Sequence, residues 1–122
     1  MVKKILLPQE IETFYVIPSI RKNMALCMKE KGMKQKDIAK IFDIRDAAIS
    51  QYLSDKRGSK LKFENKILKE IRKSSKKVKN SATMIREIQR IIKIIRKNHM
   101  LCEFCHRFGN VPKGCNPKDM GC

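Results

Sequence analysis

The stretch KQKDIAKIFDIRDAAISQYL, Lys34 to Leu53, decides how the rest of the chain is read. At helical spacing it divides into two short apolar-faced pieces on either side of Asp43-Ile44. The first carries Ile38, Ala39 and Phe42, and the second Ala48, Ile49, Tyr52 and Leu53. Ala39 is small where two helices must cross closely, since a larger side chain there would push them apart. Asp43 falls where the chain has to reverse within about three residues, and Asp tolerates a left-handed backbone better than most residues, though less well than Gly. The stretch therefore predicts a helix, a tight turn and a second helix whose outer face carries short polar side chains.

Gln35, Ala39, Phe42, Ile44, Ile49, Ser50 and Tyr52, followed by SDKRG at Ser54 to Gly58, resemble the phage-repressor-like (XRE/Cro) helix-turn-helix class. The chain is more closely similar to archaeal transcriptional regulators of that class. The leader ILLPQE, the segment IPSIRKNMAL, the core AAISQYLSDKRG and a cysteine-bearing tail carry the resemblance over nearly the whole chain. Asp43 stands where Gly is commoner in the turn, and Arg45-Asp46 stand where Ser or Thr with Gln often open the reading helix. The resemblance implies an all-α fold. Its parts are a phage-repressor-like bundle, a long C-terminal dimerisation helix and a small irregular cysteine lobe.

Composition agrees with a nucleic-acid partner. The 122 residues hold 29 Lys and Arg against 12 Asp and Glu, a net charge of +17, which calls for a polyanion. With no Trp and only 6% aromatics, the core must rest on Ile, Leu and Met. No run approaches the roughly 18 apolar residues of a membrane span. The basic start MVKK leads into an apolar run that ends at Pro8 and meets Glu10 and Glu12, so no signal peptide is read and a cytoplasmic protein is expected. A Gly-rich phosphate loop, an H-E-x-x-H pair and a nucleophile–base–acid set are all missing, with only two histidines in the chain. An enzyme is not expected, and no small-molecule substrate is evident.

Four regions follow. Residues 1–17 form an N-terminal arm. Two short strands at Ile5–Leu7 and Phe14–Ile17, an arm on a partner subunit and an arm on the helical core all fit its pattern. Residues 18–74 form the DNA-binding domain. Its first helix starts at Pro18 and stops at Gly32, with Ile20, Met24, Cys27, Met28 and Lys31 on one stripe. Cys27 reads there as a small buried hydrophobe. A further helix is expected from Lys60 to about Arg72. Residues 75–98 form a hinge, SSKKVKNS from Ser74 to Ser81, and a helix from Ala82 to Asn98. In that helix Ile85, Ile88, Ile92 and Ile95 make a heptad seam, flanked by Met84, Ile91 and Ile94. A homodimer through this seam suits a reader of two half-sites, and a helix buried in a monomer core is the alternative.

Residues 99–122 form the cysteine lobe. Cys102 and Cys105 make a C-x2-C knuckle, Cys115 follows after nine residues, and Cys122 ends the sequence. Between Cys105 and Cys122 apolar side chains are few, so a bound centre is expected to order this loop. A [4Fe-4S] iron–sulfur cluster on Cys102, Cys105, Cys115 and Cys122 is the preferred reading. A structural zinc, in which His99 or His106 could replace Cys122, is the alternative, although zinc sites usually show two compact knuckles. A redox dithiol leaves Cys115 unexplained. The C-x-x-C-H of haem attachment needs an export signal.

In the double-stranded DNA reading, Arg45, Asp46, Ala47, Ser50 and Gln51 face base edges, while Gln35, Lys36, Lys56, Arg57 and Lys60 hold phosphates. Eleven basic and two acidic residues between Lys56 and Lys79 extend that phosphate surface. A cluster beside such a reader would make the chain a sensor of redox, iron or sulfur status. A thiol redox protein and an antitoxin-like or RNA-binding module are the other classes considered.

Overall fold

A computed structural model describes residues 7–54, 58, 61–98, 100 and 104. The described residues are helical, with no strand among them. In chain order the helices are α1 (Pro8–Ile11), a π-helical turn (Glu12–Val16), α2 (Ile17–Glu30), α3 (Gln35–Phe42), α4 (Asp46–Leu53), α5 (Asn65–Lys77) and α6 (Ser81–Lys97). No described helix is long and apolar enough to cross a membrane.

The strand considered at Phe14–Ile17 is replaced by helix, and Ile5 and Leu6 of the other lie outside the described residues. Pro8 occupies the first turn of α1, where a missing N–H is harmless, and Glu10 Oε1 accepts a 2.9 Å hydrogen bond from the Leu7 amide. Ile11 and Val16 are fully buried, so this segment packs on the helical core. Pro18 falls in the first turn of α2, as expected, but that turn follows directly from the preceding π turn. A proline cannot donate to the carbonyl four residues back and its ring crowds that carbonyl. The wider π turn just before it, closed by the Ile17 amide on the Glu12 carbonyl, lets the helix continue past that obstacle.

Ile20, Met24 and Met28 of α2 are buried as their stripe predicts, and Gly32, at φ +89°, ends the helix. Cys27 is only half-buried and Lys31 is exposed, so the stripe is narrower than it reads in the sequence. Helices α2 and α5 pack side by side in the same direction: Lys22 and Asn23 share one hollow with Leu68, and Cys27 and Lys31 share another with Arg72 and Lys76. At their starts the Ser19 hydroxyl reaches the carbonyls of Gly58 at 2.9 Å and Leu61 at 3.0 Å.

The hinge expected at Ser74–Ser81 is not one. Helix α5 begins at Asn65 rather than Lys60 and continues to Lys77, with Ser74, Ser75 and then Val78 all buried. Both buried serines are bonded, Ser75 Oγ donating within the helix to the Arg72 carbonyl at 2.7 Å and Ser74 Oγ accepting from Arg90 of α6 at 2.6 Å. The connection to α6 is three residues long, and Asn80 caps the new helix by accepting from the Thr83 amide at 2.9 Å.

Helix α6 spends its apolar face inside the chain. Met84, Ile88, Ile91, Ile92 and Ile95 are buried, α6 packs against α5 and α3, and Ile85 is left 56% exposed. Two ion-pair sets hold α6 in place. Arg90 donates to Glu70 Oε2 at 2.8 Å, to the Glu70 carbonyl at 3.1 Å and to Glu87 Oε1 at 3.2 Å. Arg96 grips Glu12 with both ends of its fork, at 2.9 and 2.7 Å, and so ties the last turn of α6 to the π turn. Beyond α6, Met100 and Phe104 are buried, and Phe104 meets the Phe63 ring edge-on at a centroid distance of 6.2 Å.

Candidate nucleic-acid interface

Helices α3 and α4 are joined by a turn that depends on one residue. Asp43 has φ 53° and ψ 46°, the left-handed conformation expected of it. There the Ile44 amide turns back to the Ala39 carbonyl at 3.1 Å, closing the end of α3. Ala39 itself is buried with Ile38 and Phe42, and Ile49 and Tyr52 are buried from α4. The inner faces of both helices are thereby committed to the core.

The outer face of α4 and its lead-in is polar and open. Arg45, Asp46, Ala47 and Ser50 are all exposed. They offer a guanidinium fork, a carboxylate, a methyl and a hydroxyl in one continuous strip. Gln51 does not join them: its Oε1 is shut from solvent without a hydrogen-bond partner, although the residue as a whole is only half-buried. A buried amide oxygen without a partner costs about 1–3 kcal/mol.

Gln35 also has a different part from the one its sequence position suggests. Its Nε2 donates to Ser50 Oγ at 2.6 Å and to the Asp46 carbonyl at 3.1 Å. A carbonyl accepts only, so the amide nitrogen must face α4, and both of its hydrogens are engaged there. What remains, Oε1, is an acceptor with nothing to offer a phosphate. Gln35 is thus a brace between the helices.

Lys36 is exposed on α3, and Lys40, one turn further on, is exposed beside it. Lys40 was missed in the sequence reading, where the i, i+4 spacing from Lys36 was the available signal. Lys56, Arg57 and Lys60 lie outside the described residues, as do Cys102, Cys105, Cys115 and Cys122 with both histidines. Gly58, between those basic residues, is described, with φ +72°. A Cβ there would collide with the Pro18 carbonyl oxygen and come within 2.9 Å of the Lys22 Cβ. Gly58 therefore lies against α2 at a point only Gly can occupy.

Charge is distributed unevenly between the core and this surface. Burial of acidic groups is confined to Glu12 and Glu87 among the described residues, and each meets an arginine. The Arg90 hydrogen bond holds the Glu70 carboxyl below its ordinary range, and Glu12 in turn raises the Arg96 guanidinium above its own. Compared with known proteins, the chain matches no family model, no curated protein and no solved structure.

Proposed function

We propose that this chain is a sequence-specific DNA-binding regulator of the phage-repressor-like helix-turn-helix class, acting in the cytoplasm. The observation that carries the reading is the braced pair α3–α4: a left-handed Asp43 sets its angle, Gln35 locks it, and Arg45, Asp46, Ala47 and Ser50 are left displayed. A helix of this kind fits the major groove of B-DNA.

Each displayed group has a matching base edge. Arg45 suits the two acceptors of guanine, Asp46 the amino group of cytosine, and Ala47 the methyl of thymine. Ser50 already accepts a hydrogen bond from Gln35, so its own hydrogen is left to donate to a base acceptor. Lys36 and Lys40 supply phosphate contacts, and the sequence adds Lys56, Arg57 and Lys60. Gln51 is assigned no base. Pairing of two copies through α6 is not part of the proposal, because Ile88, Ile92 and Ile95 are buried within one chain.

The iron–sulfur reading of Cys102, Cys105, Cys115 and Cys122 rests on their sequence spacing, with zinc as the alternative, and no step of DNA recognition is routed through it. Iron, acid-labile sulfide and zinc measured on protein purified without oxygen decide between the two. Matching iron and sulfide are expected; one zinc and no visible chromophore would make the tail a structural staple.

Anisotropy titrations of duplex DNA over a range of salt test the reading of α3 and α4. Lys36→Ala is expected to weaken all duplexes alike and to lower the salt slope by about one. Arg45→Ala is expected to lose roughly 1–3 kcal/mol of discrimination at one base position. Equal losses on every sequence for both variants would remove the distinction.

A further inference from the structure

A second cationic feature lies at the far end of α2 and α5. Because the two helices run in the same direction, their closing turns lie side by side. Cys27 and Lys31 are one turn apart on α2, and Arg72 and Lys76 are one turn apart on α5. These four, with Glu30, line a hollow of about 290 Å³.

Lys31, Arg72 and Lys76 are exposed at the rim of this hollow and differ from Arg90 and Arg96 in their partners. Arg90 and Arg96 are each matched to carboxylates. The three side chains around the hollow make no salt bridge with a described residue. Glu30 lines the same space without pairing to any of them. Cations in the last turns of helices complement the helix dipoles by about 0.3–1 kcal/mol each. That accounts for basic residues at each helix end but not for three facing one concavity. Their mutual repulsion is felt: burial first, and then Lys76, lower the Lys31 ammonium from its ordinary value. An anion seated between them would offset the repulsion between Lys31 and Lys76.

We propose that the hollow between the C-terminal turns of α2 and α5 binds a phosphate-bearing anion through Lys31, Arg72 and Lys76, with the Cys27 thiol at its wall. Arg72 provides a planar fork for two phosphate oxygens, and the two lysines supply point charges. Glu30 opposes the ligand and sets an upper limit on its affinity. The site is separate from the strip on α4, and its occupancy does not depend on base recognition. The phosphate belongs either to a free small molecule or to a DNA backbone, and the test separates these sources.

Cys27 is a built-in reporter. The full-length protein is alkylated with iodoacetamide, a neutral reagent, and the Cys27 peptide is followed by mass spectrometry so that the tail thiols do not interfere. Pyrophosphate is expected to slow alkylation at least tenfold, while sodium chloride at matched ionic strength does not. Arg72→Ala and Lys76→Glu are each expected to weaken that protection at least tenfold with helicity by circular dichroism unchanged, and Glu30→Gln to strengthen it. Protection by a short duplex and not by pyrophosphate assigns the phosphate to DNA. The proposal is overturned if neither protects, if chloride protects equally, or if the folded variants are protected like the wild type.

Discussion

Asp43 carries the reversal between α3 and α4 at an energetic cost. A non-Gly residue in the left-handed region costs roughly 1–2 kcal/mol, and Asp recovers only part of it. Asp43→Gly is therefore expected to raise stability by about 0.5 kcal/mol, the strain relief being offset by the greater freedom of Gly in the unfolded chain. Asp43→Val should lower it by at least about 1 kcal/mol; urea unfolding measures both. Gly58 has the opposite constraint, and Gly58→Ala should cost roughly 1–3 kcal/mol, because a Cβ meets the Pro18 carbonyl at positive φ. Asp43 was legible in the sequence because the need for a reversal between two apolar-faced pieces is local. Gln35 and Gln51 were not. Gln35 is a polar residue at the start of α3 and Gln51 one on the expected reading helix, and only the packing of α3 on α4 turns the first into a brace and half-encloses the second.

Helix α6 shows how an apolar pattern can name an element without naming what it packs against. Its isoleucines recur as a coiled-coil seam recurs, yet Ile88, Ile92 and Ile95 lie against the chain's own helices. A 3-4 spacing suits a partner helix of either origin. Ile92→Ala is accordingly expected to cost about 2–5 kcal/mol in unfolding measurements. Ile85→Ala should stay within about 0.5 kcal/mol and leave the sedimentation velocity unchanged. The pairs around α6 were equally hidden, since Glu12 and Arg96 are far apart in sequence. Arg96→Met leaves the Glu12 carboxylate, 8% exposed, without its fork, at an expected cost of about 2 kcal/mol. The Glu70 carboxyl gives this region an acid limit. Its depressed pKa contributes stability that is present above the ordinary value of 4.5 and lost as pH falls through the lowered one. Glu70→Gln should therefore be less stable than the wild type at neutral pH in thermal melts, with the gap closing in acid.

Over the whole molecule, the buried acids are matched to arginines, and much of the remaining positive charge stays on the outside. Net charge and the Lys34–Leu53 stretch carry the proposal of a nucleic-acid partner from the sequence. The hollow between α2 and α5 could not be read that way, because it depends on the parallel course of two helices far apart in sequence. Selection from a pool of random duplexes tests directly whether the face of α4 reads bases. Duplexes retained by the full-length protein are sequenced, and the enriched one is compared with its scrambled counterpart by anisotropy at physiological salt. A shared site bound at least about a hundredfold more tightly than the scramble, and losing that preference in Arg45→Ala, is the expected result. Equal binding of enriched and scrambled duplexes would contradict it, reducing the chain to a basic bundle that holds DNA by charge alone.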